Sequence, residues 1–175
     1  MLKYDMIRLG DKMTGKTYVI SDLHGHFDLL IKLLETISFS ENDILYIIGD
    51  ICDRGPDSLK ILFYIQDHNN IILIKGNHDK NIDVSLFDEV CDFKIIKYHK
   101  QKFILMHYPL LEWPHYFQGG IHLHGHQHNH RDYNELMRSK GIRRYDVGVD
   151  ANEFYPVSID EIIDFMEGSN ESNKL

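Results

Sequence analysis

Aspartate, asparagine and histidine recur at five places in this sequence, each directly after a short run of aliphatic and β-branched residues. Asp22 and His24 follow TYVIS, Asp50 follows ILYIIG, and Asn77 with His78 follow IILIKG. His107 follows KFILM, and His126 with His128 follow IHLHG. Any one of these is an ordinary turn residue behind a strand. As an ordered set they are donors for divalent cations, with a mixture of oxygen and imidazole that suits Mn, Fe, Zn or Ni better than a thiolate site would. Asp22-x-His24 and His126-x-His128 are i, i+2 pairs, so each pair projects to one side of an extended segment. Asp50 is the natural bridge, because one carboxylate has an oxygen for each of two metals. Two carboxylates against two divalent ions leave the ligand set net positive. Such a centre attracts phosphate and generates hydroxide at neutral pH, with the ions roughly 3.5–4 Å apart.

The elements that position these residues follow from the apolar pattern. Residues 17–21, 44–48 and 71–74 read as buried strands, with helices over 27–37 and 57–67 between them. The first helix places Leu30, Leu33, Leu34 and Ile37 on one stripe, and the second is read with Leu59, Leu62 and Phe63 inward. This β-α-β-α-β order implies parallel strands with right-handed crossovers. In such sheets ligands gather at the carboxyl ends of the strands, which is where the five donor groups fall. Further on, 93–98 and 102–106 read as a hairpin, with short strands at 121–123 and 145–149. Ser158-Ile-Asp-Glu161 is a capping box, opening a helix with Ile159, Ile162, Ile163 and Met166 on one face.

Composition sets the outer limits. At 175 residues with 43% hydrophobic content, the chain is expected to be one domain over 1–167 with a flexible tail at 168–175. A net charge of −8 argues against a stable nucleic acid partner. Two cysteines, a polar N-terminus and no apolar run of about 20 residues point to a reducing cytoplasm without membrane attachment. The twelve histidines are unevenly spread, seven of them lying between His107 and His130.

Taken together, Ser-Asp22-Leu-His24-Gly25, Gly49-Asp50-Ile-Cys-Asp53-Arg54-Gly55, Gly76-Asn77-His78-Asp79, His107 and Gly125-His126-Gln-His128 resemble the calcineurin-like metallophosphoesterase superfamily. The resemblance runs in order from about residue 18 to residue 150. It implies a four-layer α/β/β/α sandwich and two divalent metal ions, with manganese favoured. Metal one would take Asp22, His24, Asp50 and His128, and metal two Asp50, Asn77, His107 and His126. His78 would be the general acid, Asp53 its hydrogen-bond partner, and Arg54 the grip on phosphate oxygens. The implied reaction is in-line attack of a metal-bridging hydroxide on a phosphorylated small molecule or nucleotide.

Two features narrow the resemblance in different directions. GDICDRG is similar to the segment shared by phosphoprotein phosphatases and symmetrical dinucleoside tetraphosphate hydrolases, while GHQH is similar to the small phosphoesterases. A monoester preference is therefore expected, with a phosphodiesterase or dinucleoside polyphosphate hydrolase as the alternative and a catalytically silent metal-binding scaffold as the remote one. Among the remaining residues, His26 is read as facing substrate or capping the first helix. His124 is read as lying behind the ligands, and His122 and His130 as surface. Trp113 and Cys52 are read as packing residues.

Overall fold

The computed structural model describes residues 7–9, 15–87 and 89–168. The expected tail lies outside them except for Gly168. Among the described residues, ten strands form two five-stranded sheets. In the first sheet β2 (Thr17–Ile20), β3 (Ile44–Ile48), β4 (Ile71–Ile74) and β5 (Val90–Cys91) are parallel, and β10 (Val157–Ser158) adds antiparallel to β2. In the second, β1 (Ile7–Leu9) lies parallel to β6 (Lys94–Tyr98), which forms the expected hairpin with β7 (Gln101–Leu105). β8 (Ile121–His124) and β9 (Arg144–Asp146) then continue in parallel with β7.

Alternation along the strands makes the layers. Val19, Tyr46, Ile48 and Ile74 of the first sheet meet Ile96, Phe103, Leu105, Ile121 and Leu123 of the second in one buried cluster. Tyr18, Ile20, Leu45, Ile47 and Leu73 turn the other way, against Leu30, Leu33 and Leu34 of α1 (Phe27–Thr36) and Ile61 and Ile65 of α2 (Ser58–Gln66). α4 (Ile159–Glu167) inserts Ile159, Ile162 and Met166 into the cluster between the sheets, and its capping box on Ser158 and Glu161 forms as read. The result is the expected mixed α/β architecture of two sheets flanked by helices. No helix among the described residues is long and apolar enough to cross a membrane.

Three readings are corrected. Leu59 and Phe63 are 67% and 60% exposed, because α2 docks through Ile61 and Ile65 and turns the 59–63 stripe to solvent. Residues 129–144, where the apolar pattern shows no element, contain α3 (Asp132–Ser139), which lies against β9. His122, read as surface, is fully buried. Its outward parity on β8 is genuine, but that face of the sheet is covered by Trp113, Leu110, Tyr116 and Ile142 packed on Ile95 and Ile104.

His122 pins this cover. Its Nδ1 lies 2.9 Å from the Ile104 carbonyl and donates to it, while Nε2 lies 3.1 Å from both the Leu110 nitrogen and the Tyr108 carbonyl and, in the neutral ring, accepts from the Leu110 N–H. Burial lowers the His122 pKa to about 4 and that of His124 to about 3. Both folded values lie below the unfolded value near 6.5, so the unfolded chain takes up protons first. Their contribution is complete above pH 6.5 and is lost as the pH falls toward 4, at up to about 1.4 kcal/mol per pH unit per proton. Urea midpoints should therefore fall between pH 6.5 and 4.5, and His122→Gln should flatten that fall. A variant that loses stability in parallel with the wild type would show that His122 is not one of the groups responsible.

Candidate metal centre

The carboxyl ends of β2, β3, β4, β7 and β8 meet along one edge. The Asp22 N–H donates to the Gly49 carbonyl (3.1 Å), and the His24 N–H to the Asp50 carbonyl (2.8 Å). The Gly125 N–H donates to the His107 carbonyl (3.1 Å). Across the sheets, the His126 N–H reaches the Asp22 carboxylate at 3.1 Å. All seven residues read as ligands are brought together there, in two groups that share Asp50. In one, His24 Nε2 lies 3.1 Å from His128 Nε2 and 3.9 Å from Asp22 Oδ1. In the other, His107 Nε2 lies 3.2 Å from Asp50 Oδ2 and 3.1 Å from Asn77 Oδ1, which is also 2.8 Å from His126 Nδ1. Asp50 Oδ2 is 4.0 Å from His24 Nε2, so this one oxygen faces both groups.

The donor chemistry fits cations. His107 Nδ1 lies 2.9 Å from the Ile48 carbonyl, which has only lone pairs, so Nδ1 carries the hydrogen. In the neutral ring Nε2 then turns a bare lone pair on Asp50 Oδ2. Two acceptors at that distance repel unless a proton or a metal lies with them. Burial pushes the His107 imidazole down, but its bonds to Asp50 and Ile48 outweigh this and its pKa is raised. Burial likewise pushes Asp50 up, and bonds from His107 and the His78 N–H hold its carboxyl below the usual range. Burial lowers His24 to about 4, with the Arg54 charge adding to it, which keeps the ring in its neutral, ligating form. Asp22, buried beside Asp146, is raised. Two clusters suited to an ion, Asp22–His24–His128 and Asp50–His107–His126, are present among the described residues.

The backbone is bent to make this edge. Of the twelve described non-glycine residues with positive φ, seven are Asp22, His24, Asp50, Asp53, Arg54, His126 and His128. Left-handed conformations cost energy and concentrate at functional sites, where the surrounding structure must enforce them. Gly76 and Gly125 are glycines for a related reason. A Cβ on the first would collide with the Asp50 carboxylate, and one on the second with Ser21 Oγ and the Asp22 carboxylate.

His78 lies beside both groups. Its Nδ1 is 2.8 Å from Asp53 Oδ2, and its Nε2 is 3.9 Å from Asp50 Oδ2. The Arg54 N–H and His78 hold the Asp53 carboxyl below its ordinary value. Arg54 is exposed, with Nη1 3.2 Å from His128 Nε2. His26 is exposed at the start of α1 and makes no side-chain cap, so it does not close the helix. Trp113 is buried, its indole donating to the Gly120 carbonyl at 2.9 Å. Burial raises the Cys52 thiol to about 11, leaving it a packing group. His124 is buried, with Nδ1 2.9 Å from the Gly125 carbonyl.

Four contributors were not singled out from the sequence. Asp79, fully buried, accepts from the backbone N–H groups of Asp50 (2.7 Å), Gly76 (2.9 Å), Ile51 (3.0 Å) and Cys52 (3.1 Å). Asp146, also fully buried, accepts from the Gly148 N–H (2.8 Å) and Asn129 Nδ2 (2.7 Å). Asp150 Oδ2 meets His128 Nδ1 at 2.6 Å. The Tyr108 ring stands 4.7 Å from that of His126, edge to face, and Tyr108 is 40% exposed. Asp79 had a signal, its place directly after the Asn77-His78 motif.

A model of calcineurin-like phosphoesterases matches residues 15–155. The chain belongs to that family. Metal-dependent phosphohydrolase, the class expected from the sequence, is the class of this family. Among curated relatives, the symmetrical bis(5'-nucleosyl)-tetraphosphatase of Buchnera aphidicola subsp. Baizongia pistaciae is 40% identical over 80 residues, covering 45% of this chain and 28% of that one. The enzyme of the same name from Salmonella typhimurium is 43% identical over 68 residues, covering 38% and 24%. The matches thus span about a quarter of those relatives' length. Among solved structures, a protein of unknown function from Aquifex aeolicus superposes with a TM-score of 0.61 at 26% identity, covering 86% of this chain and 98% of that one. The phosphoesterase Yfce from E. coli shares the fold, with a TM-score of 0.55 at 21% identity, covering 78% and 79%.

Asp79 supplies a test of how the centre is held. Asp79→Ala would leave four backbone donors without their acceptor, at about 1–3 kcal/mol for each one stranded. Denaturation of the chelated protein should show a loss on the order of 3 kcal/mol or more, with Mn²⁺ binding weakened as well. A loss under about 1 kcal/mol would mean that water replaces the carboxylate and that Asp79 does not organise the site.

Proposed function

We propose that this chain is a dinuclear metal-dependent phosphoesterase. The observation that carries the reading is the convergence of Asp22, His24, Asp50, Asn77, His107, His126 and His128 on one edge, with Asp50 common to both groups. Asp22, His24, Asp50 and His128 would hold one divalent ion, and Asp50, Asn77, His107 and His126 the other. Bound there, the pair supplies Lewis acidity toward phosphoryl oxygens and makes water acidic enough to deliver hydroxide at neutral pH. The N/O ligand set accepts manganese, iron, zinc or nickel, and manganese is the ion we favour.

The chain's own residues do the rest. Arg54 is exposed above the His24–His128 group, where its planar fork binds phosphate oxygens in a way lysine does not reproduce. Asp53 Oδ2 accepts a hydrogen bond from His78 Nδ1, which fixes the ring and leaves Nε2 free for a substrate's leaving oxygen. From there Nε2 gives its proton to the departing oxygen.

For substrate class we favour nucleotides and, among them, dinucleoside polyphosphates. The names of the relatives support this, as does the Asp53-Arg54 pair that the sequence shares with such hydrolases. Tyr108 supports it too, since it offers an open aromatic face beside His126 on which a base can stack. A monoester preference, favoured on the sequence alone, remains the second reading, supported by the same Asp53-Arg54 pair. With both cysteines free and half-buried, we place the activity in a reducing cytoplasm.

Two measurements test this. A panel of mono- and bis-(p-nitrophenyl) phosphate, nucleoside monophosphates and diadenosine tetraphosphate should give its highest kcat/KM on the tetraphosphate. A higher value on monoesters would favour the second reading, and no turnover with any ester would leave only a metal-binding scaffold. His78→Ala should lower kcat by about 10² to 10⁴ on substrates whose leaving oxygen needs a proton. The loss should be smaller on p-nitrophenyl phosphate, whose leaving group departs unaided. Equal rates for variant and wild type on both would remove His78 from the acid role.

A further inference from the structure

His128 differs from the buried ligand residues in how it is held. Asp22, His24, Asp50 and His107 are all buried, whereas the His128 side chain is 29% exposed. It rides on a hook, residues 126–128, in which both histidines have positive φ. Its ring stacks on that of His24, with centroids 5.0 Å apart, but on the open side a hydrogen bond holds it.

That bond comes from Asp150. Arg54 Nη1, which can only donate, lies 3.2 Å from His128 Nε2 and so makes that nitrogen the acceptor. The ring hydrogen is left on Nδ1, which donates to Asp150 Oδ2 at 2.6 Å. The same Nε2 lies 3.9 Å from Asp22 Oδ1 and 3.1 Å from His24 Nε2, so an ion held there would take the lone pair in place of the Arg54 hydrogen. Asp150 is itself rigidly carried. The Val149 N–H donates to the Ser21 carbonyl (3.2 Å), next to Asp22. Asn152 Nδ2 bridges the carbonyls of Asp146 (2.9 Å) and Gly148 (2.8 Å). Asp146 binds both Gly148, ahead of Asp150, and Asn129, just past His128. One buried carboxylate thus ties the two loops together and sets the spacing of the His128–Asp150 pair.

We propose that Asp150 is a positioning residue for His128. It fixes the ring's tautomer and orientation, and through them the affinity of the ion held by Asp22, His24, Asp50 and His128, without touching metal or substrate. The inference rests on the metal-centre reading above and deepens it. Carboxylate partners of ligating histidines are typically worth about 10- to 100-fold in metal affinity. Because the Asp150 side chain is 39% exposed, its loss does not hollow out the core.

The test is calorimetric titration of the chelator-stripped full chain with MnCl₂, for wild type, Asp150→Asn and Asp150→Ala, beside the thermal midpoint of each metal-free protein. We expect two ions in the wild type. In Asp150→Ala one ion should bind about 10- to 100-fold more weakly, with the other unchanged and the metal-free midpoint unmoved. Asp150→Asn should fall between, since its amide oxygen still accepts from Nδ1. Two ions bound as tightly by Asp150→Ala as by wild type would overturn the inference while leaving the metal centre standing. A fall in the metal-free midpoint with both sites weakened equally would overturn it as well, assigning Asp150 a merely structural role. A wild-type chain that takes up no Mn²⁺ would overturn the metal reading and this inference with it.

Discussion

The arrangement depends on a buried carboxylate oxygen, Asp50 Oδ2, that faces imidazole nitrogens on two sides, His107 Nε2 at 3.2 Å and His24 Nε2 at 4.0 Å. Away from water, lone pairs gathered at such distances repel unless positive charge lies between them. Asp22, also buried, adds a second carboxylate on the same edge. The site is thus an electrostatic debt built into the fold, and divalent cations settle it better than protons do. Under the proposed function, a pair of cations held by these two carboxylates would keep net positive charge for an anionic phosphate substrate.

Holding that debt in place requires a second tier of carboxylates. Asp79 collects four backbone N–H groups from the segments that follow β3 and β4, and so fixes where Asp50 points. Asp146 does the same for the segments after β8 and β9. Glycines at 76 and 125 let the Asp50 and Asp22 carboxylates lie against bare backbone. The positive-φ residues of the edge are affordable because these clamps, and the layers beneath, over-determine them.

What could be read from the sequence was whatever announces itself locally. Asp22, Asp50, Asn77, His107 and His126 each follow an apolar run that can only be a strand, so residue type and position point to the site together. α1 and α4 were legible because one face is apolar and the other is not. α2 has apolar residues all round, so periodicity alone could not choose Ile61 and Ile65 over Leu59 and Phe63. α3 buries little besides Asn134 and Met137, and its polar sequence hid it. His122 was misplaced because strand alternation says which face a residue takes, not what later covers that face. Asp146 and Asp150 act on groups brought near only by the fold, so spacing gave them no signature, whereas Asp79 was marked by its place after Asn77-His78 but not by its role.

The most direct test of the account is anomalous diffraction from crystals soaked in MnCl₂, with data on both sides of the manganese edge. The account predicts two peaks roughly 3.5–4 Å apart, both within bonding distance of the Asp50 carboxylate, one also touching His24 and His128 and the other Asn77, His107 and His126. A single peak, or two peaks that do not share Asp50, would contradict it.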